Sequence, residues 1–192
     1  MKTKYSVIYL ATVLLLATGL ARADYEAGVS AALSGDYQTA LREFTRAAEQ
    51  GLDLAQYNLA ILYFTGRGVE QDFAAAHRWT LAAAEQGHVN AQYNLASLLM
   101  DGSGVEPDVE QAIVWFSRAA RSGHADAAFV LANLFNDGDR VDRNLVEAHA
   151  WASQAVYNQH QQGPALQDAL EAQLDAGQLA AARRLFARWQ IN

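Results

Sequence analysis

Apolar residues along the chain recur with the spacing of amphipathic helices rather than of strands. Between residues 55 and 65 the apolar side chains lie three or four positions apart, as at Leu59 and Leu62. This spacing places them on one face of a helix. Gly66 follows, and a glycine at this point is typical of a left-handed helix end. Asp72 is a good N-cap residue, so the sequence predicts a second helix after it.

This two-helix pattern repeats with a period of 36 residues. The hexapeptide AQYNLA at residues 55–60 recurs at residues 91–96, and a weaker copy, AAFVLA, occurs at residues 127–132. Many further positions keep the same register, which is the mark of a repeat architecture. They are Gly66, Gly102 and Gly138; Val69, Val105 and Val141; Ala76, Ala112 and Ala148; Trp79, Trp115 and Trp151; and Ala83, Ala119 and Ala155.

The repeats predict an all-α fold, an α/α superhelical solenoid of 36-residue helix-turn-helix units with a C-terminal helical cap. Three full units span residues 55–90, 91–126 and 127–160. A shorter unit without the long glycine loop precedes them at residues 24–54. Residues 161–192 are expected to form two capping helices, because a solenoid needs an atypical terminal unit to close its core. The first of them should run from Gly163 to about Asp175.

The last predicted helix, residues 178–189, combines an apolar face with three arginines near its end, where the helix dipole favours cations. We interpret it as part of the cap, and a helix lying on a membrane surface is the alternative. Its apolar face consists of Leu179, Ala182, Leu185, Phe186 and Trp189. The arginines are Arg183, Arg184 and Arg188.

The pattern of residues 55–87 resembles the Sel-one-like branch of the tetratricopeptide repeats. It contains AQYNLA, the loop GRGV and the later alanine, tryptophan and glycine positions. Residues 91–123 match nearly as well, whereas residues 127–159 have Arg140 in place of the second loop glycine and Gln159 in place of the last glycine. The resemblance implies an adaptor scaffold that assembles complexes, in bacteria often an exported one. Cysteine-rich members linked to β-lactam binding or hydrolysis are not a guide, because this chain has no cysteine.

The N-terminus, residues 1–23, resembles a cleaved secretory signal peptide. Lys2 and Lys4 precede an apolar run at residues 7–20, and the small-x-small sequence ARA ends at residue 23. The 14 residues of that run are fewer than the roughly 20 that a membrane-spanning helix needs. We therefore expect a periplasmic or secreted protein with no transmembrane span after signal cleavage. The alternative is an uncleaved N-terminal anchor.

Charge and cysteine content exclude some functions. The sequence has 14 basic and 21 acidic residues and a net charge of −7. The predicted leader holds three of the basic residues and no acid, so its removal takes the net charge to −10 and leaves no lysine. An acidic surface repels phosphate backbones, so we expect no nucleic-acid partner. Without cysteine, the stability must come from packing rather than from disulfides.

Each first helix carries two stripes, one for the core and one that is a candidate binding surface. In the second stripe an aromatic residue repeats, while its neighbours change from apolar to polar along the array. We predict that this stripe lines the concave face and binds a protein or peptide, since aromatic residues supply contact area at low entropic cost. The alternative is that the aromatic rings pack between neighbouring repeats. The ten candidates are Tyr25, Tyr57, Ile61, Phe64, Tyr93, Ser97, Met100, Phe129, Asn133 and Asn136.

Three histidines, His88, His124 and His160, also lie 36 residues apart. Equivalent positions on stacked helices are about 8–10 Å apart, whereas ligand nitrogens lie about 2 Å from a zinc ion. We therefore expect duplicated turn residues rather than a metal site.

The sequence also lacks two common catalytic motifs. The glycine loops follow helices and lack the lysine of a nucleotide loop, and no Gly-x-Ser-x-Gly elbow occurs. The sequence predicts no catalytic residue, no metal and no cofactor.

Three functions fit these features. The first is an exported, non-catalytic protein-protein interaction scaffold that binds a protein or peptide in its concave groove. The second is a cell-wall glycan binder or hydrolase on a repeat scaffold, in which exposed aromatic rings would stack on sugars. The third is a structural subunit that oligomerises through its outer face. The sequence leaves the identity of the partner and the oligomeric state open.

Overall fold

Ten helices follow one another along residues 19–191, which are the residues that the computed structural model describes. No strand occurs in this range, so the predicted all-α class of helix-turn-helix repeats is confirmed. Most of the predicted signal peptide lies outside the described residues. The helices are α1 (described over residues 19–33), α2 (Tyr37–Glu49), α3 (Asp53–Thr65), α4 (Phe73–Glu85), α5 (Val89–Asp101), α6 (Val109–Arg121), α7 (Ala125–Asp137), α8 (Leu145–Tyr157), α9 (Gly163–Glu171) and α10 (Ala176–Trp189).

Capping groups that recur from repeat to repeat set the helix boundaries. The predicted N-cap residues Asp72, Asp108 and Asn144 each accept a backbone N–H three residues later, at 2.9, 2.9 and 3.2 Å. These bonds satisfy donors that a helix leaves unpaired at its start. Two first helices end at glycines in the left-handed region, with φ of 69° at Gly66 and 74° at Gly138. Both kinds of helix end were predictable from residue type.

Some boundaries differ from the predicted ones. Helix α3, the first helix of the full unit predicted at residues 55–90, begins at Asp53, two residues before the start of that unit. Helix α9 ends at Glu171, although the sequence predicted that it would reach Asp175. The reason is that Asp175 is the N-cap of α10: its side chain accepts the N–H of Gln178, and the Gln178 side chain accepts the N–H of Asp175. This reciprocal capping box commits Asp175 to the following helix.

The described residues fall into two compact units, and the first comprises the chain up to Ala91 together with residues 103–106. In this unit α3 packs on both α2 and α4. Phe44 and Leu59 are its largest fully buried side chains, and Trp79 packs against the same core. Gly28 of α1 faces the ring of Phe44, where an added Cβ would lie 2.6 Å from the ring. A glycine is needed there because no space is left for a side chain.

The second unit comprises residues 92–102 and the chain from Pro107 onwards, and α8 is its central helix. Helices α7, α9 and α10 all pack on α8, of which residues 148–155 are all buried. Trp189 of α10 stacks on Trp151 with 4.0 Å between ring centroids. The Gln190 side chain, just after α10, donates a hydrogen bond of 2.8 Å to the side-chain oxygen of Gln154. The last helix is therefore fixed to α8 by both ring stacking and a hydrogen bond.

A glycine in each of the first two long loops allows the loop to touch an earlier helix. Gly68 lies against the backbone carbonyl of Tyr37, and Gly104 lies against the backbone of Phe73, each the first residue of a second helix. Both glycines are left-handed, with φ of 73° and 75°, and a Cβ at either would overlap that backbone. Arg140 takes this position in the third loop and does not adopt a positive φ. The third loop therefore follows a different path, in which the Arg140 guanidinium donates to the carbonyl oxygen of Met100 at 2.6 Å.

We expect Gly68→Ala to destabilise the fold far more than Gly87→Ala. Both glycines have a positive φ, of 73° and 91°, but only at Gly68 would a Cβ meet backbone atoms. Strain alone should cost Gly87→Ala about 1 kcal/mol, whereas strain plus overlap should cost Gly68→Ala about 3 kcal/mol or more. Urea denaturation followed by circular dichroism measures both. Equal losses would contradict the close loop contact.

Candidate functional site

The ten predicted binding residues are all at least partly exposed to solvent. Nine of them lie on the first helices α3, α5 and α7, and Tyr25 lies on α1. Phe64 is 45% exposed, and the other nine are of intermediate exposure. By contrast, the core residues Leu59, Leu95 and Leu131 on the same helices are at most 1% exposed. One leucine of each first helix therefore lies fully in the core, whereas the candidate residues stay partly exposed.

Each aromatic ring of the repeated position stacks on one of the repeated histidines. The ring centroids are 4.4 Å apart in the pair of Tyr57 and His88 and in the pair of Tyr93 and His124. They are 4.1 Å apart in the pair of Phe129 and His160. One face of each aromatic ring is thus covered by packing, while part of each side chain stays exposed. The aromatic column has a structural role whether or not it also binds a partner.

The histidines are more than the duplicated turn residues that the sequence suggested. The Nδ1 atom of His88 accepts the backbone N–H of Ala91 at 3.2 Å, and that of His124 accepts the N–H of Ala127 at 3.3 Å. Each of these bonds caps the start of the following first helix. A single imidazole therefore joins the ring of one repeat to the helix start of the next.

Tyr25 departs from this arrangement, although α1 places it in the register of the aromatic column. Leu52 occupies the place that a histidine takes in the later repeats, and both residues pack against the N-terminal core. The ring of Tyr25 lies 5.8 Å from that of Phe44. The same kind of contact recurs between Tyr93 and Phe116 at 5.5 Å. The first aromatic residue is therefore held by the core alone.

The polar residues of the stripe are partly satisfied by their own helices. Ser97 Oγ donates to the carbonyl oxygen of Tyr93 at 3.2 Å, and Asn133 Nδ2 donates to that of Phe129 at 2.9 Å. Such bonds leave the hydroxyl lone pairs and the amide oxygen able to accept further hydrogen bonds. The equivalent residue on α3 is the apolar Ile61. The chemical character of this position thus changes from helix to helix while its placement stays the same.

Burial favours the neutral form of two of the stacked histidines, His88 and His124. It lowers the pKa of His88, against the opposing charge of Asp53, and it lowers the pKa of His124, against that of Asp126. A neutral ring can keep Nδ1 as an acceptor, whereas a protonated one cannot. Both helix caps therefore depend on the neutral form.

The remaining buried histidine belongs to the contact between α8 and the last two helices. His149 is 1% exposed, and its Nε2 lies 3.5 Å from a carboxylate oxygen of Glu171. Glu171 also forms an ion pair with Arg183 at 3.0 Å. Burial lowers the pKa of His149, while the neighbouring Glu171 carboxylate acts in the opposite direction. This cluster links three helices.

Two other kinds of feature are absent from the described part of the chain. No three side chains of histidine, aspartate or glutamate lie close enough together there to hold a metal ion. Residues 19–191 also contain no helix that is long and apolar enough to cross a membrane.

Comparison with known proteins identifies the repeat. The family model described as the Sel1 repeat matches residues 14–52, 53–88, 89–124 and 125–160. Among solved structures, a Sel1 repeat protein from Oxalobacter formigenes is 29% identical with a TM-score of 0.67, over 72% of this chain and 57% of that one. The c5321 antigen of uropathogenic Escherichia coli, which displays an SLR fold, is 28% identical with a TM-score of 0.49, over 88% and 45% of the two chains.

The chain thus spans about half the length of these two solved relatives. No curated protein matches the sequence.

We expect the protein to lose stability as the pH falls from about 7 to about 5. The folded state lowers the pKa of His88 and His124 below the ordinary 6.5. The unfolded chain therefore binds more protons in this range, and acid favours unfolding. In the variant His88→Asn/His124→Asn, an amide caps the helices without titrating.

The variant should melt a few degrees below the wild type at neutral pH, because the ring stacks are lost. Its melting temperature should then decline less steeply with acid. His77 and His149, whose pKa values are also lowered by burial, are the same in both proteins. Parallel declines in thermal melts across this pH range would contradict the proposed dependence on the two caps.

Proposed function

The chain belongs to the Sel1 repeat family, whose model matches it four times over more than half of its length, and on that premise we propose that it is an exported, non-catalytic scaffold. Repeats of this family typically mediate protein-protein interaction. In this proposal a protein or peptide binds along the first helices of the repeats, on the surface formed by the ten partly exposed residues.

The observation that carries the proposal is the combination of constant and variable positions on these helices. The aromatic position is constant, and its stacked histidine holds each ring in a fixed orientation. A pre-positioned ring loses little conformational entropy when a partner covers its remaining surface. Aromatic residues held in this way are typical of the residues that dominate binding energies at protein interfaces.

The variable positions would supply selectivity. One position changes from Ile61 to Ser97 to Asn133, and another changes from Phe64 to Met100 to Asn136. The exposed positions of α3 are therefore apolar, whereas those of α7 can form hydrogen bonds. A partner that placed an apolar side chain against Asn133 or Asn136 would leave a buried polar group unpaired, which costs about 1–3 kcal/mol for each group. These positions thus favour a partner whose polar groups face α7.

The placement of the reactive side chains supports a non-catalytic role. The Nδ1 atoms of His88, His124 and His160 each accept a backbone N–H, at 3.2, 3.3 and 3.2 Å. A nitrogen whose lone pair already accepts a hydrogen bond is not available as a general base. His149 is buried beside Glu171 where α8 contacts α9, so its position too is explained by helix packing.

The proposal of export rests on the N-terminal sequence. Helix α1 continues through the expected cleavage point after Ala23. Cleavage there would leave Asp24 at the new start of α1, where an acidic side chain interacts favourably with the helix dipole. The rest of α1 would keep its contacts with the N-terminal core through Tyr25 and Gly28.

The groove is best tested by adding bulk at variable positions, because replacing Tyr57 or Tyr93 would also remove a ring stack. We expect Ser97→Arg/Asn133→Arg to lower the capture of a partner from native cell envelopes by about tenfold or more. Long charged side chains there would block the surface, while the lost bonds to the helix backbone cost little stability. The captured proteins are identified and quantified by mass spectrometry.

The control is Gln111→Arg/Gln161→Arg, which adds the same side chains at exposed positions outside the stripe. It should capture the partner as the wild type does, and thermal melts should show all three proteins folded. If the stripe variant captures the same proteins in the same amounts, the stripe is not the binding surface.

The mass of the recovered chain tests export separately, since export with cleavage predicts a protein that begins at Asp24.

A further inference from the structure

A second surface suited to binding lies in the C-terminal unit, on α6 rather than on a first helix. It is a groove of about 640 Å³ between α6 and the end of α10, a size within the range of ligand sites in proteins. The residues that matter for its chemistry are Ile113, Val114, Ser117, Arg118, Arg121 and Trp189. None of them belongs to the aromatic stripe or to the histidine column.

The groove is cationic on a protein that is otherwise acidic. Arg118 and Arg121 lie one turn apart on α6, and neither forms an ion pair with an acid among residues 19–191. The Arg118 guanidinium lies 4.4 Å from the centroid of the Trp115 ring, which holds it in place. Although the whole chain has a net charge of −7, this arginine pair is a locally cationic surface that would attract negative charge.

The arginine pair is not a requirement of the repeat. The equivalent residues 36 positions earlier are Ala82 and Glu85, and those 36 positions later are Gln154 and Tyr157. The fold therefore tolerates neutral and acidic side chains at these places. Helix packing therefore does not account for the two arginines that occur together on α6.

The groove also has an apolar wall that is rigid. Val114 is 41% exposed, and Trp189 is held by its stack on Trp151 at 4.0 Å. The hydrogen bond from Gln190 to Gln154 fixes the end of α10 beside it. A wall that is already in place makes binding less costly in conformational entropy than a mobile one.

We propose that this groove binds an acidic segment of a partner protein. Carboxylates of aspartate or glutamate side chains pair with Arg118 and Arg121, since guanidinium groups bind carboxylates with charge-assisted hydrogen bonds. An apolar side chain of the same segment packs on Val114 and Trp189. A second copy of the chain is disfavoured as the occupant, because two molecules of this net charge repel each other. The site is separate from the first-helix stripe and adds a second point of attachment.

The test uses the full chain and a fluorescein-labelled peptide of alternating leucine and glutamate, with both ends blocked. Fluorescence anisotropy should show saturable binding that weakens as salt is added. The same peptide with glutamine in place of every glutamate should bind about tenfold more weakly or worse. Arg118→Gln/Arg121→Gln should weaken binding of the acidic peptide to the same extent.

The matched control is Arg78→Gln/Arg184→Gln, which removes two exposed arginines outside the groove. It changes the net charge equally and should leave the affinity unchanged. Val114→Asp is a second variant, and it should abolish binding through both its charge and its polarity. Thermal melts establish that each variant is folded.

The proposal is overturned if the groove and control variants bind the acidic peptide equally, if the glutamine peptide binds as well as the glutamate one, or if no binding occurs. It is also overturned if sedimentation shows that Arg118→Gln/Arg121→Gln converts a dimer into a monomer, because the occupant would then be a second copy. Ser97→Arg/Asn133→Arg should bind the peptide normally. Failure at the groove is therefore distinguishable from failure of the first-helix surface.

Discussion

Alanine determines how closely the helices of each repeat can approach. Two columns of alanines on the second helices are at most 1% exposed. A methyl group at a helix contact permits axes near the short end of the usual range of about 8–10 Å. Larger apolar residues are then confined to a few positions, and a bulkier side chain in the columns would overpack the contact. The columns are Ala76, Ala112 and Ala148, and Ala83, Ala119 and Ala155.

Close packing separates the residues that repeat from those that do not. The leucines of the core, the N-cap residues and the pairs of aromatic ring and histidine recur because every repeat has to solve the same packing problem. Ile61, Ser97 and Asn133 share one position without sharing a chemistry, and Arg118 has no basic equivalent in the neighbouring repeats. In this chain repetition marks what the fold requires, and variation marks the surface that is free to recognise a partner.

Sequence periodicity was enough to predict the helices, most of their caps and the buried leucines of each first helix. These features depend on local residue type and on a spacing that recurs three times. The stacking of Tyr57 on His88 was not predicted, because the sequence places both in repeating columns but does not say that the columns meet. The path of the Arg140 loop and the groove beside Trp189 depend on contacts between distant helices, which no local pattern encodes.

Each histidine that stacks on an aromatic ring also begins the segment that follows, and this has a consequence for how such a gene can change. A duplication or deletion of one 36-residue period within residues 55–160 leaves each aromatic ring of that range with a histidine. The array can therefore lengthen or shorten without any new contact having to arise by mutation. His160 stacks on Phe129 in the same way, even though the helix that follows it, α9, is not the first helix of a repeat. Each ring and its histidine thus belong to neighbouring helix pairs. Recombination that adds or removes one period therefore need not occur at the boundary of a helix pair.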